Sequence, residues 1–286
     1  MSSTDSLTVR KLNVNLKKGF DRHWNGGDAF LSAMFNALSM SFPFGEQFFI
    51  DAVRAGEKNL GNNAIDQAMR THIKDFIAQE ATHRFLHTQY NDQLAQQGFH
   101  NTWEIRALAQ SEKLKQRIKD SPHAHLHELG LTAAYEHITA VLGYEVMLSV
   151  NKPHDWLQHA DIQLQTLWRW HAAEEMEHRA IAFDLYTHLG GNYRRRVFWF
   201  AFALLRFSLD LTRQTTRNLW DDKTLHLPST WWSAFKFTFG KYGFIRRLTL
   251  PLLAYCKRDF HPKHHGDDAL LSQWLHLNQS SWQRVG

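Results

Sequence analysis

Apolar residues recur every three or four positions along most of the chain, and polar and apolar residues alternate nowhere for long, so the pattern predicts helices. Residues 28–42 carry Leu31, Met34, Phe35 and Leu38 on one face, and Pro43 is expected to break or kink that helix. A second piece, about 45–55, sets Glu46 among Phe48, Phe49, Ile50 and Val53, and the GEKNLGNN stretch after it reads as a loop. A helix over about 64–96 has the stripe Ile73, Phe76, Glu80, His83, His87, Tyr90 and Leu94. A shorter one covers 102–118. An apolar helix over about 129–150 carries Leu129, Ala133, Glu136, Ala140, Gly143 and Met147 on one face. After a loop at 152–160, a single helix over about 161–189 shows Leu164, Leu167, His171, Glu175, His178, Ala182 and Leu185, and Gly190 and Gly191 end it. The expected fold class is all-α.

Beyond residue 192 the character changes. A strongly apolar helix follows Arg194, Arg195 and Arg196, and the rest interleaves aromatic and basic residues. This suggests a loose N-terminal tail over 1–20, a bundle over 21–192 and a helical, aromatic-rich C-terminal segment over 193–286 packed on it. The 286 residues are 43% hydrophobic, enough for one large core. The longest unbroken apolar run, Val197 to Leu205, is too short to span a bilayer, and the N-terminus has no apolar signal core. A cytoplasmic protein is expected, at most peripheral at the inner face of a membrane. One cysteine, Cys256, excludes a disulfide framework and a Cys-based zinc site. The net charge of +5 is spread without a dense basic tract or a nucleic-acid motif, so nucleic acid is not an expected partner.

Chemistry enters with two Glu-x-x-His pairs, Glu80/His83 and Glu175/His178. Three residues apart on a helix, two side chains leave from the same face and can share a metal. Both pairs occupy apolar stripes where a core Leu would sit. An ionised Glu buried there without a partner costs roughly several kcal/mol, and a metal ion is a physical reason to keep it. A two-metal carboxylate bundle also takes one Glu from each of two further helices. Glu46 is available before Glu80. Before Glu175 both Glu136 and Glu145 are available. Glu136 is about as far from the end of its helix as Glu175 is from the start of the next, so in an antiparallel hairpin the two fall level. Glu145 sits too near the loop, and stays as the alternative. His171, one turn before Glu175, adds a third histidine. His87 reads as a supporting or packing residue and Glu177 as solvated; Glu174 adjoins the site, and His137 should face away from Glu136.

The stretches FPFGEQFF, QEATHRFLHTQYN, AAYEHITAV, WHAAEEMEHRAIAFDLY and RDFHP, in this order over residues 42–262, resemble the bacterial family named predicted metal-dependent hydrolase. The helix pattern also resembles ferritin-like di-iron oxygenases and oxidases, and His171 is similar to the extra histidine of the arylamine N-oxygenases. The resemblance implies a ferritin-like four-helix bundle with a di-metal core at Glu46, Glu80, His83, Glu136, His171, Glu175 and His178.

A donor set rich in Glu favours iron, with manganese as alternative and zinc less suited. The expected function is a di-metal, preferably di-iron, enzyme that uses O2 to oxidise a hydrophobic small molecule. A hydrolase with a metal-activated water is the first rival, and a non-enzymatic iron-binding protein the second. Expected partners are a hydrophobic substrate and an electron donor. Peripheral membrane contact and a homodimer are left open.

Overall fold

Short polar side chains set the helix starts. Asp28 accepts from the Leu31 amide ahead of α1 (Ala29–Glu57), and Asn63 from Asp66 ahead of α2 (Ala64–Gln96). Asn101 caps α3 (Thr102–Ile118), and Asp161 caps α5 (Ile162–His178), which follows α4 (Ala124–Ser149). Then come α6 (Ile181–His188), α7 (Tyr193–Asp221, capped by Asn192), α8 (Pro228–Phe239), α9 (Phe244–Leu253) and α10 (Asp268–Leu277). This computed structural model describes residues 7–285, and it bears out the all-α expectation apart from two three-residue strands, β1 (Arg10–Leu12) and β2 (Trp282–Arg284).

Helices α1, α2, α5 and α4 pack in a closed ring of neighbours. The direction of each follows from its cross-contacts. Asn36 meets Tyr90 and Ser39 meets His87, so α1 and α2 are antiparallel. His83 meets Glu174 and His87 meets His171, so α2 and α5 are antiparallel. Glu136 meets His178 and a Cβ on Gly143 would meet Ala172, so α4 and α5 are antiparallel. Helices α2 and α4 therefore run the same way, and the connection that carries α3 crosses between them. Close approach of α4 to α5 depends on Gly143: a Cβ there would lie 2.8 Å from the Ala172 carbonyl oxygen.

Pro43 does not end the first helix. It sits inside the continuous α1, where it has no amide to give to the Ser39 carbonyl. The Asn91 side-chain amide donates to that carbonyl instead, at 3.0 Å. The expected single helix over 161–189 is divided. Arg179 and Ala180 separate α5 from α6, and the Arg179 guanidinium donates to the Met176 carbonyl, to Pro262 O and to Asp268. A side chain thus takes an acceptor that an uninterrupted helix would use.

The expected loose tail is anchored over its described part, while residues 1–6 lie outside the described residues. β1 pairs antiparallel with β2 at the other end of the chain, and Leu12 and Leu16 are buried. In the C-terminal segment, α7 packs on α1 and α4 with Trp199, Phe200, Ala203 and Phe207 buried. Helices α8 and α9 pack on each other and on α1 and α4 respectively, yet they leave Trp231, Trp232, Phe235 and Phe239 exposed. Among the described residues no helix is long and apolar enough to cross a membrane.

Asn91→Ala should destabilise the protein by about 1–3 kcal/mol, because it strands the buried Ser39 carbonyl. In a Pro43→Ala background, where a helix amide returns to that carbonyl, the same change should cost clearly less. Urea midpoints of the four proteins measure the difference. Equal costs in both backgrounds would show that Asn91 does not replace the amide that Pro43 lacks.

Candidate metal centre

The bundle brings every candidate residue to one level. Glu46 comes from α1, Glu80 and His83 from α2, Glu136 from α4, and His171, Glu175 and His178 from α5; all are buried. Donor atoms of Glu80, His83, Glu175 and His178 lie within 4.8 Å of one another, and so do those of Glu46, His83 and His171. His178 Nε2 is 3.4 Å from Glu80 Oε1 and 3.9 Å from Glu175 Oε1, while its Nδ1 is 2.8 Å from Glu136 Oε2. His83 Nδ1 is 3.8 Å from Glu80 Oε2 and 3.7 Å from Glu175 Oε1.

Among the described residues most of these atoms have no hydrogen-bond partner. Both oxygens of Glu46, both of Glu80, Glu136 Oε1, Glu175 Oε2, His83 Nδ1 and His178 Nε2 are buried and unpartnered. Among the described residues no Lys or Arg forms an ion pair with Glu46, Glu80, Glu136 or Glu175. Burying such groups without compensation is strongly unfavourable. The donor set therefore fits a cation.

The surroundings fix how two histidines face the centre. His83 Nε2 lies 3.0 Å from Glu174 Oε2, and Arg10 donates to Glu174 Oε1 at 3.1 Å. Arg10 also makes a two-pronged contact with Glu177, at 2.6 and 2.8 Å. This chain turns His83 Nδ1 inward, as a carboxylate behind a ligating histidine does. For His87 the tautomer follows from Pro43. The Ser39 carbonyl accepts only from a donor, so Asn91 turns its NH2 to it and its oxygen to the Ser39 hydroxyl, which donates at 2.8 Å. That proton spent, His87 Nδ1 must donate to Ser39 Oγ across 2.9 Å. Burial, then the charges of His171 and His83, hold His87 well below the usual histidine range, so it is neutral and its Nε2 accepts. His171 Nδ1 lies 2.8 Å from that nitrogen. His171 Nε2 faces the centre, 2.9 Å from Glu175 Oε1.

The electrostatics of the centre are dominated by burial and by the crowding of its carboxylates. Burial, followed by Glu80, raises Glu46 well above the usual carboxylate range. Burial also dominates at Glu136, outweighs the opposing His178 and pushes it up to about 8. At His178 burial works against the charged ring, yet Glu136, Glu175 and Glu80 together push it up to about 10. Burial likewise opposes the Glu175 carboxylate, but the His178 ring beside it wins and holds it at about 2. His171 is lowered to about 4 by burial and then by His83.

Two cavities reach the centre. A small apolar one of ≈ 50 Å³ lies among Phe35, Leu38, Val146 and Trp168 and touches His171 and Glu175. A larger one of ≈ 490 Å³ opens between α1, α3, α4 and α7 and touches Glu46 and Glu175.

Glu145, the alternative to Glu136, points elsewhere and pairs with Arg247. His137 faces away too, toward the Leu252 carbonyl and the ring of Tyr255. The expectation that Glu177 is solvated is corrected: it binds Arg10 and accepts from Gln79 at 2.9 Å. Sequence reasoning missed Arg10 altogether. No helical spacing marks it, since it lies in a strand far from α5 in sequence. Glu174 was legible only as a neighbour of the motif, and its bond to His83 needs α2 and α5 together.

At pH 7 Glu136 and His178 each hold a proton that a ligated ion would displace. Binding of Mn2+ to chelator-treated protein should therefore release protons, and affinity should rise as pH rises through about 8. A pH indicator in lightly buffered solution reads the release. Binding with no proton released, and no tighter at pH 8 than at pH 6, would contradict these protonation states.

A family model described as predicted metal-dependent hydrolase matches residues 8–266. No curated protein and no solved structure matches the chain. With a match over most of its length, and buried Glu and His clusters inside that match, the chain belongs to the family of predicted metal-dependent hydrolases.

Proposed function

We propose that the chain is a hydrolase of ferritin-like build, in which Glu46, Glu80, His83, Glu136, His171, Glu175 and His178 hold two metal ions. The observation that carries this is the set of buried, unpartnered carboxylate and ring atoms facing one another from four helices. Iron or manganese suits so many carboxylates better than zinc does. Such ions, when bound, act as Lewis acids on a substrate carbonyl or phosphoryl oxygen and lower the pKa of water. The chain's own residues do the rest. Arg10 and Glu174 hold the His83 ring, and Ser39, Asn91 and His87 hold the His171 ring. Phe42 packs on the His171 ring, and Trp170 meets the His83 ring at right angles. Glu46 borders the larger cavity with both oxygens unpartnered, so it stands where that cavity meets the centre.

A second reading has its own support. The small cavity at His171 and Glu175 is almost wholly apolar, which suits O2-dependent oxidation of a hydrophobic molecule as well as it suits an apolar group of an ester. That reading needs iron and an electron donor.

Elemental analysis after loading with Mn2+ or Fe2+ should find close to two ions per chain. Glu80→Ala with Glu175→Ala should lose them, and Glu145→Gln should keep them. Unchanged metal content in the double variant would sink the assignment. Chelator-sensitive cleavage of aryl or alkyl esters supports hydrolysis. O2 consumption with new visible absorption by the Fe2+-loaded protein, and no metal-dependent ester cleavage, would favour oxidation instead.

We also propose that α8 and α9 rest on an anionic membrane surface. Trp232, Phe235 and Phe239 form an exposed aromatic row with ring centroids 5.8 and 5.7 Å apart, beside Trp231. Lys236, Lys241 and Arg246 are exposed on the same two helices and the turn joining them. Aromatic rings at the headgroup level with cations on phosphates is how interfacial helices bind. Vesicles of phosphatidylglycerol should sediment the protein at low salt, vesicles of phosphatidylcholine much less, and Trp231→Ser with Trp232→Ser should abolish the effect. A protein that ignores both vesicles and elutes as a dimer would assign this face to a second copy.

A further inference from the structure

We infer that the larger cavity binds an amphiphilic anion: an apolar body directed to the metal centre and a carboxylate or phosphate head at the mouth. The inference rests on the reading above only in taking this cavity as the entrance to the centre. Its charges are sorted by depth. The acidic residues lining it are Glu46 and Glu175, both buried in the centre; every other charged residue lining it is basic, namely Lys113, Arg117 and Arg206. Lys113 and Arg117 stand one turn apart on α3, both exposed. Among the described residues neither has an acidic partner, although neighbouring Lys115 approaches Glu112 at 4.0 Å. Two like charges at this spacing repel each other, so an anion between them relieves a cost the free protein bears. Arg206, across the cavity on α7, gives Nη2 to Asp210 at 2.6 Å and keeps Nε buried and unpartnered.

Between mouth and centre the walls are aromatic and aliphatic, with Phe48, Phe49, Trp103, Leu131 and Trp199 among them. Phe198 and Phe202, exposed on α7, lie on the same cavity. Exposed aromatics on an otherwise packed helix are accounted for if an apolar ligand passes over them. The volume of ≈ 490 Å³ is in the range of small-molecule pockets. Neither a neutral hydrocarbon nor a cation fits this arrangement: the first leaves the mouth cations unused, and the second is repelled by them.

Dodecanoate, dodecyl phosphate, dodecanol and dodecylammonium, each kept below its micelle concentration, test the inference on the full chain, with and without Mn2+. Quenching of tryptophan fluorescence and calorimetry report binding. Either anion is expected to bind at least tenfold more tightly than dodecanol and the ammonium more weakly still. Tighter binding of dodecanoate or of the phosphate identifies the head group. Lys113→Glu with Arg117→Glu should weaken the anions at least fivefold and leave dodecanol unchanged. Rising salt should weaken the anions alone in the unaltered protein, a measurement that does not depend on the variant folding. Equal affinity for all four probes, or anion binding untouched by charge reversal and salt, would overturn the inference. Anion binding seen only with Mn2+ present and insensitive to the variant would also overturn it, since the head would then sit on the metal. Binding without any ester cleavage would count against the hydrolase reading and leave this one standing.

Discussion

Four buried carboxylates that face one another, with no lysine or arginine partner among the described residues, are the constraint on which the bundle turns. In an interior of low polarity, such groups must be protonated, paired with a cation, or driven apart. Burial raises the proton affinity of Glu46 and Glu136, and the His178 ring is set against Glu136, Glu175 and Glu80. Holding these groups together costs stability that hydrophobic packing must offset. A bound cation would turn the same arrangement from a cost into a gain, which is the usual reason a core keeps polar donors in place of leucines.

Much of the remaining structure holds those donors still. Arg10 crosses from the N-terminal strand to Glu174 and Glu177, and β1 is itself held by β2 from the far end of the chain. On the other side, a proline that removes one helix amide determines the orientation of Asn91, then Ser39, then His87, which meets the His171 ring. These two supports use different chemistry. One is an ion pair reinforced by a carboxylate, and the other is a hydrogen-bond relay through uncharged side chains. The asymmetry gives the two sides of the centre different character: His83 Nδ1 is backed by charge, His171 Nε2 by neutral groups.

The outer helices do two jobs with opposite faces. The inner face of α7 supplies Trp199, Phe200 and Phe207 to the packing against α1 and α4, while Phe198 and Phe202 stay exposed on the larger cavity. Helix α8 likewise tucks Phe237 against Phe30 and Trp156 and exposes its aromatic row. Aromatic residues in the C-terminal segment are therefore divided between core, cavity wall and surface, a division that composition alone does not reveal.

The periodicity of apolar residues determined the helices, and two Glu-x-x-His pairs on apolar stripes marked the centre, because three-residue spacing on one helix face is a local fact. The choice of Glu136 over Glu145 also followed from residue counting, since antiparallel neighbours of equal rise bring residues equidistant from the loop to one level. Tertiary structure decided what spacing cannot express. It kept α1 whole through Pro43, because Asn91 of another helix replaced the missing donor. It divided the helix over 161–189, because Arg179 finds partners at Pro262 and Asp268 that lie eighty or more residues away. It drew Arg10 into the core and Glu177 out of solvent in a single contact. Each of these depends on a side chain meeting a group remote in sequence, and only the packed chain brings such pairs within hydrogen-bond distance.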